Sequence, residues 1–120
     1  MNSTTNDIKT MIGQMIMVGL RGTSPDDAKY FFWHLNGLTI GGVILYDQNV
    51  TTSPPSSHNI LSPEQVKDFN EAHQSFSPTP LLIGIDQEGG QVKRLKESYG
   101  FPHSKSWAEL GQINDIEETH

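Results

Sequence analysis

The 120-residue sequence predicts an α/β fold built on a short parallel sheet. Three observations predict it. The apolar runs Met15–Leu20, Ile40–Tyr46 and Leu81–Ile85 carry no charge and read as strands buried on both faces. Helix-start signals, Ser24-Pro25 and Ser62-Pro63, stand between successive runs. Two of the runs, the second and third, end at an acid, Asp47 and Asp86. In parallel α/β proteins the carboxyl ends of strands are where ligands bind.

Taken in order, Met1–Asp7 is polar and predicts a loose tail. Ile8, Met11 and Ile12 are spaced for one amphipathic helical turn before the first strand. Ser24 as N-cap, Pro25 at the first helical position, and Asp26 and Asp27 near the positive end of the helix dipole start a helix. It runs through Leu35, and Asn36-Gly37 stops it. Its aromatics Phe31, Phe32 and Trp33 could suggest a sugar-stacking platform. Consecutive helical positions cannot share one face, so packing on the sheet is the better reading.

The second strand is followed by Asp47-Gln48-Asn49, for which a simple loop is the plainer reading. Val50–Ile60 is a loop, because Pro54-Pro55 cannot continue a helix or a central strand. As a strand-to-helix connection it would lie on the same rim as Asp86. Ser62, Pro63 and Gln65 form a capping-box start for the next helix, with Val66, Phe69, Ala72 and His73 along one face. Ser77–Pro80 ends it and leads into the third strand. Lys96–Ser106 is irregular. Ser106 and Glu109 start a short helix that Gly111 should stop.

The formal net charge of −6 and pI of about 5.2 argue against a nucleic-acid or anionic-membrane surface. The chain contains no cysteine, which excludes disulfides and thiolate metal sites. No secretory core opens the sequence, and no apolar run approaches the roughly 18 residues of a membrane span. The expectation is a soluble cytoplasmic protein without nucleic-acid or membrane partners.

The stretch Leu81–Leu95, LLIGIDQEGGQVKRL, carries the candidate chemistry. Asp86 sits where the third strand ends, so a rigid element would hold its carboxylate. That carboxylate can accept hydrogen bonds from neighbouring hydroxyls of a polyol. Gly89-Gly90 permits a sharp turn. Arg94 can then return to the same mouth, where its planar fork suits oxygen-rich ligands. The plainer alternative is that Asp86 caps a following helix and Arg94 makes a surface ion pair.

Asp86 and Glu88 would share a face if the strand continued that far. Paired carboxylates perform glycoside hydrolysis, so a self-contained glycosidase is one rival reading. The Gly89-Gly90 turn argues against that shared face. The five histidines, His34, His58, His73, His103 and His120, show no metal-ligand spacing, and no metal site is predicted. No G-x-S-x-G elbow, P-loop or G-x-G-x-x-G occurs.

IDQEGGQVKRL closely resembles the signature of glycoside hydrolase family 3, approximately IDQEGGRVQRL in its bacterial β-N-acetylhexosaminidase branch. Gly13–Gly19 and Gly41–Tyr46 resemble the family's first two strands, in the expected order. The resemblance spans about Ile12 to Gly111. It implies a (β/α)8 barrel, of which 120 residues can form only the amino-terminal portion, since a closed barrel takes about 250. Residues 1–120 are then one amino-terminal fragment of that barrel domain. Val50–Ile60 is longer than the family's usual connection.

The implied reaction is retaining hydrolysis of a terminal β-linked N-acetylglucosamine from a carbohydrate substrate such as a cell-wall muropeptide fragment, with no cofactor. By resemblance, Asp86 and Arg94 bind sugar hydroxyls. The nucleophilic Asp and the acid/base histidine of the relatives match no residue of this chain. The runner-up is a non-catalytic remnant or sugar-binding module that keeps Asp86 and Arg94. An incomplete sheet would also expose an open edge, which predicts self-association and no activity for the chain alone.

Overall fold

A computed structural model describes residues 3–117 of the chain. The order is helix α1 (Ser3–Gln14), strand β1 (Met17–Gly19), α2 (Pro25–His34), β2 (Gly42–Leu45), β3 (Gln48–Asn49), β4 (Ser56–Ser57), α3 (Pro63–Phe76) and β5 (Leu82–Ile85). A 3-10 turn (Glu97–Tyr99) and α4 (Trp107–Ile113) follow. The architecture is mixed α/β on a parallel sheet in the order β1-β2-β5. Val18 pairs with Val43, and Leu45 pairs with Ile85. Each observed strand of this sheet is shorter than the apolar run that predicted it, because the sheet uses only the segment that finds a partner.

Three expectations are corrected. The predicted loose tail is helical from Ser3 onward, while Met1 and Asn2 lie outside the described residues. Extending a helix upstream from the Ile8 turn adds one hydrogen bond per residue fixed, which is easier than nucleating it. The Val50–Ile60 loop is not irregular throughout: Ser56–Ser57 within it pairs antiparallel with Gln48–Asn49 just before it, Gln48↔Ser57 and Asn49↔Ser56. In addition, α4 runs through Gly111 and stops at Asn114, whose left-handed φ of 47° closes it.

Helices α2 and α3 start where their sequences predict. The Asp27 carboxylate accepts from the Thr23 and Ser24 amides at 3.0 and 2.9 Å and from the Ser24 hydroxyl at 2.7 Å. Those donors hold its pKa below the usual carboxylate value. Ser62 Oγ accepts from the Gln65 amide at 3.1 Å. The Gln65 side chain reaches back to the Leu61 amide at 2.9 Å and donates to Thr23 O at 2.7 Å. It therefore ties the start of α3 to the segment that starts α2.

α2 packs on α3, and both lie on one face of the sheet. The core there is Leu20, Ile40, Val43, Leu45, Ile60, Phe69 and Leu81. Phe31 and Phe32 pack against it, as expected for the aromatics of α2, but Trp33 is 74% exposed. His73 is buried among the rings of Phe31, Phe32 and Phe69.

The opposite face follows from period-two alternation. It carries Met17, Gly42, Leu82 and Gly84. The Met17 side chain lies over both glycines, and Leu82 is 71% exposed. A parallel sheet normally has both faces covered. Among the described residues, no helix covers this one.

Asn59 locks the strand ends together. It is fully buried. Its Oδ1 accepts from the Tyr46 amide at 3.1 Å, and its Nδ2 donates to Leu20 O at 3.3 Å and Gly22 O at 3.0 Å. One side chain thus fixes where the chain leaves β1 and β2. Those exits form the floor of the site.

Candidate functional site

The strand register decides which residues emerge together. Leu45 pairs with Ile85, so the next residues, Tyr46 and Asp86, leave the sheet side by side at its carboxyl end. No helix follows Asp86, so it does not act as a helix cap. The chain instead doubles back. Gln87 and Lys93 form an antiparallel bridge, and the Glu88 amide donates to Val92 O at 2.8 Å.

Gly89 makes the reversal, with φ of 78°. A Cβ at this position would collide with the Lys105 carbonyl. Gln87 braces the return: its Oε1 accepts from the Arg94 and Leu95 amides at 2.9 and 3.0 Å, and its Nε2 donates to Ser104 Oγ at 2.7 Å. The signature glutamine is therefore a template for the turn that delivers Arg94.

Four charged groups meet at this rim. Arg94 Nη2 lies 3.7 Å from Asp86 Oδ2, an ion-pair distance too long for a hydrogen bond. Arg94 Nη1 lies 3.5 Å from Asp47 Oδ1, and the guanidinium sits 5.7 Å from the centre of the Tyr46 ring. Lys96 donates to the second oxygen of Asp47 and lies 5.6 Å from the Tyr99 ring centre. The Asp47 side chain is fully buried, whereas that of Asp86 is 46% exposed.

The hydrogen bond to Asp47 raises the Lys96 pKa above the ordinary lysine value. Lys96 is therefore charged at neutral pH. Two carboxylates and two cations give the cluster a formal charge of zero. It offers a ligand the open carboxylate of Asp86 beside one edge of a guanidinium. That pairing suits a polyol: the carboxylate accepts from one hydroxyl while the guanidinium donates to its neighbour.

The structure brings the predicted pair Asp86 and Arg94 together. It leaves Glu88 on the exposed turn beyond the strand end. Asp47, expected to lie in a simple loop, is instead the buried centre of the cluster, and Lys96 was not anticipated. A signal for both was available. Arg94 and Lys96 are two residues apart, and two cations so close in sequence favour a shared acid such as Asp47.

A second group joins exposed His103 and Glu97 to the mostly covered Lys93. Hydrogen bonds from His103 and Lys93 hold Glu97 below the usual carboxylate range. No helix among the described residues is long and apolar enough to cross a membrane.

The glycosyl hydrolase family 3 N terminal domain matches residues 7–119. A beta-hexosaminidase of Alkalilimnicola ehrlichii is 35% identical over 85 residues, covering 70% of this chain and 21% of that protein. A beta-hexosaminidase of Stenotrophomonas maltophilia strain R551-3 is 34% identical over 102 residues, 85% of this chain and 24% of that protein. One from Nitrosomonas eutropha is 34% identical over 76 residues, 63% of this chain and 18% of that protein. The chain thus spans about a fifth to a quarter of the length of these curated relatives. No solved structure matches it significantly. With Asp86 and Arg94 of the IDQEGGQVKRL turn set at the carboxyl end of a parallel sheet, and a match over nearly its whole length, the chain belongs to glycosyl hydrolase family 3, within its N-terminal domain.

Proposed function

We propose that this chain is the sugar-binding, amino-terminal part of a retaining β-N-acetylhexosaminidase, and that Asp86 and Arg94 form its hydroxyl-binding subsite. The observation that carries this is the Asp86–Arg94 pair, 3.7 Å apart at the strand ends in a family 3 chain. A gap of that length is bridged by inserting hydroxyls without breaking a hydrogen bond between the two side chains. Terminal β-linked N-acetylglucosamine is the sugar, and cytoplasmic cell-wall muropeptide fragments are the substrate pool that this reading implies.

On this reading the sheet is the first part of a (β/α)8 barrel, and its uncovered face lines the interior. The Met17, Gly42 and Gly84 arrangement supports this, since small residues there leave room for side chains from further strands. The radius of gyration, 17.5 Å, also exceeds the ~13.5 Å of a compact domain of this length. Nucleophile and acid/base groups come from outside residues 1–120. Asp47 lies buried beneath two cations, and Glu88 is on the turn, so neither faces Asp86 across a sugar.

The test is a titration of the isotopically labelled chain with N-acetylglucosamine, followed by amide NMR. Shifts confined to residues 86–95 and lost in Asp86→Ala are expected. A wild-type chain whose spectrum ignores the sugar up to high millimolar concentration would refute the subsite. Release of nitrophenol from 4-nitrophenyl N-acetylglucosaminide by the chain alone, abolished in Glu88→Gln, would instead favour the self-contained glycosidase.

A further inference from the structure

We infer that Asp47 is a positioning residue for the sugar subsite: its buried carboxylate clamps Arg94 so that only one edge of the guanidinium faces Asp86. The inference deepens the proposed reading and rests on it for the identity of the ligand. Nothing in the family match or the relatives' names assigns Asp47 a role.

The argument begins with competition. A guanidinium beside two carboxylates can pair with either, and Arg94 has Asp86 at 3.7 Å and Asp47 at 3.5 Å. If Asp86 took both nitrogens in a bidentate pair, its oxygens would be closed to a sugar. Asp47 prevents that by holding Nη1 from below, while Tyr46 supports the guanidinium 5.7 Å from its ring centre. Arg94 Nε is buried without a hydrogen-bond partner. The contacts that hold the guanidinium are thus those of Nη1 and Nη2, not of Nε.

Lys96 completes the device. Asp47 is fully buried, and one partly exposed arginine at 3.5 Å would compensate its charge poorly. The second oxygen receives Lys96, which leaves the first for Arg94. The backbone does the rest. Arg94 and Leu95 amides are pinned to Gln87, and the Asp47 carbonyl accepts from the His58 amide at 3.0 Å, so acid and arginine approach from two fixed segments. With Asp47 and Lys96 balancing each other, the ligand meets Asp86 and Arg94, one negative and one positive. A neutral vicinal diol fits that pair better than an anion or a cation does.

The experiment has two arms, and the first needs no sugar. In wild-type chain, guanidinium NMR should resolve separate Hη signals for Arg94, because Nη1 and Nη2 are held. A single averaged signal would overturn the inference whether or not sugar binds. In Asp47→Asn, which keeps the shape, those signals should collapse to the average, and in Lys96→Met they should persist. Persistence in Asp47→Asn, or collapse in Lys96→Met, would overturn the assignment of the clamp to Asp47.

In the second arm, N-acetylglucosamine affinity should fall about tenfold or more in Asp47→Asn, the loss of one charge-assisted contact. Circular dichroism should stay unchanged. Sugar binding equal to wild type in a folded Asp47→Asn would also overturn it. Absence of binding in wild type, with the Arg94 signals resolved, would strike the proposed function and leave the clamp standing.

Discussion

Replacing Asn59 with alanine should cost about 2–4 kcal/mol of folding stability. The figure follows from the groups left behind. The Leu20 carbonyl loses its partner in a buried place and the Tyr46 amide in a half-buried one, both against the fully buried Asn59. Each buried group left unpaired costs about 1–3 kcal/mol, and the 3.3 Å bond to Leu20 belongs at the low end. The Gly22 carbonyl is half-buried, and any cost it adds moves the total toward the upper end. Urea unfolding followed by circular dichroism reads the change. A loss below about 1 kcal/mol would refute the idea that this side chain holds the strand exits together. Asn59→Asp sharpens the test. It keeps the acceptor for Tyr46 but turns a carboxylate toward two carbonyls. Burial beside acceptors raises the folded pKa of the new group, so the variant should recover stability as the pH falls toward the unfolded carboxylate value and lose it as the pH rises.

Three further outcomes are expected. Burial lowers the His73 pKa below its ordinary 6.5, with the nearby Asp27 opposing. His73 thus contributes stability that is full above about 6.5 and lost as the pH falls through its lowered folded value, so His73→Leu should flatten thermal melting between neutral and acid pH. His58 shifts in the same direction, so part of the slope should survive. Gly89→Ala should destabilise the turn by at least about 1–2 kcal/mol from its positive φ alone, with the Lys105 collision in addition, and displace the Arg94 amide signal. Asp86→Ala should weaken N-acetylglucosamine binding by about 1.5–3 kcal/mol while leaving the melting temperature near wild type, because its side chain is partly exposed. Equal affinity in isothermal titration would return Asp86 to a role in folding only.

The parts of the fold set by short-range chemistry were legible. Ser24-Pro25 and Ser62-Pro63 start helices, and Met17–Gly19, Gly42–Leu45 and Leu82–Ile85 fall inside the predicted runs. The Asp86–Arg94 approach was legible too, because Gly89-Gly90 allows few paths other than a reversal. What escaped depends on contacts remote in sequence. Asp47 reads like any loop acid until Arg94 and Lys96, 47 and 49 residues away, are placed beside it. Gln65 looked like a local capping partner, yet one of its bonds reaches Thr23, 42 residues away. Ile8, Met11 and Ile12 form the helical turn their spacing predicts, but all three are exposed, since spacing tells which residues share a face and not what covers it.

The closed base of the β3–β4 excursion has a consequence for change over evolutionary time and at the bench. Tyr46 and Asn59 are bonded to each other through Tyr46 O and the Asn59 amide at 2.8 Å, and Asp47 O accepts from the His58 amide. Between them, Asn49, Thr51, Thr52 and Ser56 bond to one another, the Thr52 hydroxyl accepting from the Ser56 amide at 3.0 Å. The base therefore insulates Asp47 from events at the tip. Doubling the length of such a segment adds only about 0.6 kcal/mol of closure entropy. Residues 50–55 are thus a port into which foreign sequence can be spliced at the rim of the proposed subsite, altering what the rim touches while the charged cluster beneath stays in register.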